Sequence, residues 1–136
     1  ILAYFLFKKL AKIRYTKHLN HLMQQELLSV RESYKQHNDK HLLAIDISNL
    51  LNRFVRHVLN DSNASSLTGE AWIAYLNSRV KGQVFDEFRT ELTQAQYQKY
   101  VDFDVSRLFA TVKNYFPLAI KSKNKYNKLN NGDNHA

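Results

Sequence analysis

The first 34 residues contain neither proline nor glycine and place Ile13, Leu19, Leu22, Met23, Leu27, Val30 and Tyr34 at three- and four-residue steps. That is helical spacing. Continuous from Ile1, the helix exceeds thirty residues, far longer than the globular average of about 11–12. Such a length suits a membrane span that continues into a stalk.

The opening, Ile1-Leu2-Ala3-Tyr4-Phe5-Leu6-Phe7, carries one tyrosine hydroxyl and no other polar side chain. It is followed by Lys8, Lys9, Lys12, Arg14 and Lys17, with no acid through residue 25. Seven helical residues span only about 10 Å, against roughly 30 Å of bilayer hydrocarbon, so this stretch cannot cross a membrane alone. An apolar aromatic run closed by basic residues is nevertheless how a transmembrane helix leaves the bilayer on its cytoplasmic side. Residues 1–7 are therefore expected to be the end of a transmembrane helix, and Lys8–Lys17 its membrane-proximal basic stretch. A signal peptide would carry its charge before the apolar run. The competing expectation makes Ile1–Phe7 two buried turns of an ordinary core helix. Because it opens on Ile, the sequence is expected to be a fragment or processed form.

The net charge of +8 is all terminal. Residues 26–120 balance eleven basic against eleven acidic side chains, and residues 121–136 hold Lys121, Lys123, Lys125 and Lys128 against Asp133. A nucleic-acid-binding domain would be expected to line a folded face with Lys and Arg and to place aromatics for stacking. Here the middle is neutral and its aromatics fall at core spacings. Cysteine is absent, which excludes disulfides, thiolate metal sites and cysteine nucleophiles.

His37-Asn38-Asp39-Lys40 reads as a turn. Leu43, Ile47, Leu50, Leu51, Phe54, Val55 and Val58 then share one face of a second helix over about 40–60. Residues 60–66 read as a loop. Thr68 is placed as the N-cap of a third helix, with Leu67 and Trp72 as a hydrophobic staple, Glu70 facing the dipole, an end near Val80 and Gly82 as C-cap. Val84, Phe85 and Phe88 form a short apolar cluster. Thr93-Gln94-Ala95-Gln96 matches a capping box opening a short helix through about Tyr100. Asp102 or Asp104 is expected to cap a last helix carrying Val105, Leu108, Phe109, Val112 and Phe116, which Pro117 ends or kinks. The Asn- and Lys-rich residues 121–136 read as a disordered basic tail. The class is all-α, a compact domain of about four to six helices over 37–120, preceded by the basic long helix 8–36.

Catalytic signatures are sparse. The spaced pairs His18/His21 and His37/His41 lack a third ligand. Asp86/Glu87 and Asp102/Asp104 lie at element boundaries, where carboxylates serve as caps. With three glycines there is no phosphate loop, nucleophile elbow or dinucleotide fingerprint. The expectation is a non-enzyme without cofactor or metal; an enzyme built from Glu70, Asp86 and His57 has no spacing argument behind it.

The segment Leu67-Thr68-Gly69-Glu70-Ala71-Trp72-Ile73-Ala74-Tyr75-Leu76 resembles the Leu-Thr-Gly-x-x-Trp-Leu-x-Phe-Leu core of a bacterial domain-of-unknown-function family from aerotolerance-type (Bat) operons, beside MoxR-type AAA+ ATPases and von Willebrand factor A domain proteins. Leu50-Leu51-Asn52-Arg53-Phe54-Val55-Arg56 is similar to that family's Leu-Leu-x-Arg-x-x-Arg pattern. The resemblance runs from Ile1 to about Ile120. It implies a single-pass protein of the bacterial inner membrane with its domain in the cytoplasm. It also implies an accessory subunit partnered by the AAA+ ATPase and von Willebrand A proteins, in envelope stress tolerance or complex maturation, with homo-oligomers allowed. No catalytic residues come with it. Trp72 is expected mainly to fill the core, and Gly69 to allow close backbone approach. The alternative function is a soluble basic helical module that binds nucleic acid.

Overall fold

A computed structural model describes residues 1–94 and 102–133, with side chains through Ser122. Six helices account for most of it: α1 (Leu2–His37), α2 (Lys40–His57), α3 (Ser62–Ser65), α4 (Gly69–Ser78), α5 (Arg89–Gln94), preceded by a 3₁₀ turn at Asp86–Phe88, and α6 (Val105–Asp133). No strand occurs among the described residues. The chain is all-α, as its periodicity requires.

The centre is α2. Leu43, Ala44, Ile47, Leu50, Leu51, Phe54 and Val55 recur at spacings that cover two adjoining stripes, and all seven are fully buried. A helix apolar over so wide a face must be covered on more than one side. Here α1, α3 and α5 lie against it, and α6 reaches it through aromatic side chains. Phe54 has its ring centroid 4.8 Å from Phe116 and 5.9 Å from Tyr115. Tyr115 in turn meets Phe85 edge-on at 4.8 Å and donates its hydroxyl to the Leu76 carbonyl at 3.1 Å.

The α1–α2 hairpin is set by two adjacent residues. Asn38 takes the left-handed conformation (φ 51°) and its N–H bonds the Tyr34 carbonyl, closing α1. Asp39 is extended and its carboxylate accepts from the N–H groups of His41 and Leu42 at 2.9 and 3.3 Å, opening α2.

Only the second half of α1 packs. Met23, Leu27 and Val30 are buried, whereas Ile1 to Phe7 stand in solvent, from 56% exposure at Leu6 to 98% at Ile1. The expectation that Ile1–Phe7 forms buried core turns is thereby overturned. No described helix is long and apolar enough to cross a membrane.

Several local readings are corrected. The stretch after Asn60 is not all loop: Asp61 accepts from the Ala64 N–H at 3.0 Å and nucleates the one-turn α3. The helix after Thr68 stops at Ser78, and Gly82 (φ 95°) serves the following turn instead of the helix end. Thr93 does not open a helix. It lies inside α5 and donates its hydroxyl back to the Arg89 carbonyl at 2.6 Å, and the helix expected through Tyr100 falls outside the described residues. Between the two candidate caps of α6, Asp104 accepts from the Arg107 N–H at 3.1 Å, while Asp102 pairs with Lys40.

Pro117 neither ends nor visibly interrupts α6, which runs on to Asp133 where a disordered tail was expected from Lys121. A proline inside a helix leaves the carbonyl four residues earlier without its donor. That carbonyl belongs to Lys113, and the Gln24 side-chain amide of α1 donates to it at 2.9 Å. Past the proline, continuing a formed helix costs far less than nucleating one, so even an Asn-rich segment propagates. Gln24→Ala should therefore cost about 0.5–1.5 kcal/mol. In a Pro117→Ala background, which should itself gain up to about 3 kcal/mol, the cost should shrink because residue 117 regains an N–H. Urea titrations of the four proteins in the cycle measure the coupling.

The buried Tyr115 gives alkaline stability a definite sign. Burial first, and the Tyr75 hydroxyl second, push its phenol well above the ordinary value of 10.0. Above that pH the unfolded chain loses a proton that the folded chain keeps, so stability falls as pH rises, by up to about 1.4 kcal/mol per pH unit. Lys40 acts in the same direction. Its hydrogen bond to Asp102 raises it above 10.5, so its contribution is complete below that pH and is lost as pH climbs through the raised value. Tyr115→Phe should flatten the alkaline limb of stability against pH by about one proton, read from urea melts between neutral and alkaline pH.

Candidate interaction surface

Two surfaces carry the residues singled out by the sequence. The first is a groove of about 230 Å³ between α2 and the α3–α4 junction. Its walls include Asn49 and Asn52 of α2, Ser65 to Gly69 of the junction, Trp72 of α4, and Leu92 and Thr93 of α5. The Leu67–Trp72 segment and the Leu50–Arg56 segment thus meet in space. Beside them the Asn52 side-chain amide donates to the Ser65 carbonyl, two residues ahead of Leu67, at 2.6 Å.

Within this groove the motif residues divide. Trp72 is 5% exposed, stacked with Tyr75 at 6.3 Å, and belongs to the core. Leu67, at 39% exposure, stays at the groove's lip. Thr68 has the extended backbone of an N-cap, but its hydroxyl makes no capping bond. Gly69 has φ +58° and open space where a Cβ would stand. The glycine thus answers a left-handed backbone rather than the close approach expected of it.

Glu70, in the first turn of α4, is held by Arg89, which also contacts Asp86 at 3.1 Å. Asn77 completes the network, accepting from the Phe85 N–H at 3.0 Å and donating to Asp86 at 2.8 Å. Glu70 and Asp86 are brought together, then, but as the two anions of one guanidinium. His57 lies exposed at the last turn of α2, bonded to neither. Glu87 pairs with Arg107 at 3.1 Å and Asp102 with Lys40 at 2.6 Å. The Lys40 hydrogen bond holds the Asp102 carboxyl below its ordinary value. Asp102's part in this tie is complete above pH 3.8 and is lost as acid protonates it. The carboxylate pairs thus fasten α4 to α5, the 3₁₀ turn to α6, and the entry of α6 to α2.

The histidine pairs do not assemble a metal centre. His37 Nδ1 accepts from the Asp39 N–H at 3.0 Å, and among the described residues no three metal-ligating side chains cluster.

The second surface is the unpacked half of α1. Lys8, Lys9, Lys12, Arg14 and Lys17 are all exposed, and no described carboxylate pairs with them. Lys8 instead places its ammonium 5.5 Å from the Tyr4 ring. Sequence reasoning missed Asn52, Gln24, Asn77 and Arg89, because each acts on a partner distant in sequence or on a bare backbone carbonyl. A polar side chain on a helix next to its buried stripe is the one local signal they share.

Neither a curated protein nor a solved structure is significantly similar to this chain. A family profile matches residues 1–117, and the chain belongs to that family, a domain of unknown function designated DUF4381.

Proposed function

We propose that this chain is a non-catalytic interaction subunit, anchored in the bacterial inner membrane through the helix that α1 continues, with its helical body in the cytoplasm. Its partners are a MoxR-type AAA+ ATPase and von Willebrand factor A domain proteins, and its work is envelope stress tolerance or complex maturation. The observation that carries the anchor is the exposed apolar turn pair Ile1–Phe7, directly followed by Lys8 and Lys9, which pair with no described carboxylate. A helix end this apolar is costly in water and favourable at a bilayer. Support for the partners is the resemblance of Leu67–Leu76 to the Bat-operon family core. The groove beside Leu67 gives a partner a concave contact on a rigid frame.

The test is gentle detergent extraction of the full-length protein from native membranes, with mild crosslinking and mass spectrometry. An AAA+ ATPase or a von Willebrand A protein should be recovered, with crosslinks near Leu67. Recovery from the soluble fraction with nucleic acid attached would overturn the reading.

A further inference from the structure

The antiparallel packing of α1 and α6 brings together two basic segments that lie more than a hundred residues apart in sequence. Gln24 reaches Lys113, and Arg31 stacks over Phe109 at 5.3 Å, so rising numbers on one helix meet falling numbers on the other. From Lys113, eight residues of helix advance α6 by about 12 Å to Lys121; from Gln24, seven residues carry α1 back by about 10 Å to Lys17. Lys121 and Lys17 therefore come level, and the helix beyond Lys121 heads toward the end of the molecule that bears Lys8 and Ile1–Phe7. This end carries nine basic residues, and its only acid is Asp133, while residues 26–120 are neutral.

We propose that this end of the bundle binds the headgroups of anionic phospholipids, with Lys121, Lys123, Lys125 and Lys128 of α6 acting beside the five basic residues of α1. The inference rests on the reading of α1 as membrane-proximal and adds α6 as a second contact, which fixes the tilt of the domain on the bilayer. Charge alone would suit a nucleic acid as well. What favours a bilayer is Tyr4, Phe5 and Phe7 next to Lys8, since aromatic side chains beside basic ones match the boundary between acyl chains and headgroups. A nucleic-acid duplex would leave that apolar turn pair in water.

The test uses the 136-residue chain and sedimentation with two kinds of vesicle, pure phosphatidylcholine and a three-to-one mixture with phosphatidylglycerol. Each basic residue near an anionic surface is worth roughly a fivefold gain in partition. The chain should prefer the mixed vesicles, and the advantage should fall with added salt. Changing all four α6 lysines to glutamine should lower partition to mixed vesicles at least tenfold. It should leave partition to neutral vesicles, and the helical signal and Tm, unchanged. Equal partition of the variant and the parent, absence of a preference for mixed vesicles, or displacement by duplex DNA at equal phosphate concentration would each overturn the proposal. Loss of the anchor reading registers separately, as release of the full-length protein from native membranes by alkaline carbonate. A full-length protein that resists carbonate, beside a lysine variant that binds vesicles like its parent, would remove only the present inference.

Discussion

Phe54→Ala should lower the unfolding free energy by about 3–5 kcal/mol, enough to leave a domain of ordinary stability, roughly 5–15 kcal/mol, marginal or unfolded. Three facts set the size. Phe54 is fully buried at the centre of α2, its ring contacts Tyr115 and Phe116 of α6, and Tyr115 links that cluster onward to Phe85 and the Leu76 carbonyl. Truncation would open a cavity bordered by α2 and α6 at once, and backbone movement on one side cannot close it. Phe54→Leu, which keeps most of the volume, should cost markedly less. Urea denaturation followed by far-ultraviolet circular dichroism reads both. A change in the Phe54→Ala midpoint of the size seen at surface positions would mean that the aromatic cluster is not the centre of the fold.

Trp72→Ala carries the second large effect, again about 3–5 kcal/mol, because the indole is buried where the α2 groove meets α4. Its neighbour Thr68 offers the internal contrast. A capping hydroxyl is worth about 1 kcal/mol, but that of Thr68 makes no capping bond, so Thr68→Ala should change stability by less than about 0.5 kcal/mol. If Thr68→Ala or Leu67→Ala leaves Tm intact while weakening capture of the crosslinked partner, the exposed lip of the groove is the contact and Trp72 its support. A Trp72→Ala protein that keeps the parent's stability and loses only partner capture would make the indole an interface residue instead.

The large elements were legible because each was specified many times over. The buried stripe of α2 and that of α6 repeat through three or more turns, and one of the two carboxylates expected to cap α6, Asp104, does so. What escaped was specified once, or by a partner distant in sequence. Asp61 alone turns an apparent loop into α3. Pro117 reads as a terminator until Gln24, 93 residues earlier in the chain, supplies the donor that the proline lacks. Gly69 was assigned to crowding, when the need was a left-handed backbone, which sequence does not distinguish from it. In the groove, the Leu67–Trp72 strip was visible as a motif. Leu50–Arg56 on the opposite wall was visible as a second motif, but the meeting of the two was not, because the Asn52 bond to Ser65 joins a helix to a bare carbonyl.

The unpacked half of α1 also sets an electrostatic distance. Between Phe7 and Met23, the first fully packed residue, the helix rises about 24 Å, some three Debye lengths at physiological ionic strength. On a helix leaving the bilayer along its normal, the neutral body would lie beyond the reach of the lipid charge, which only the basic ends would feel. Changes in membrane composition would then alter how the rod stands, while the groove beside Leu67 stayed outside the field of the lipid charge.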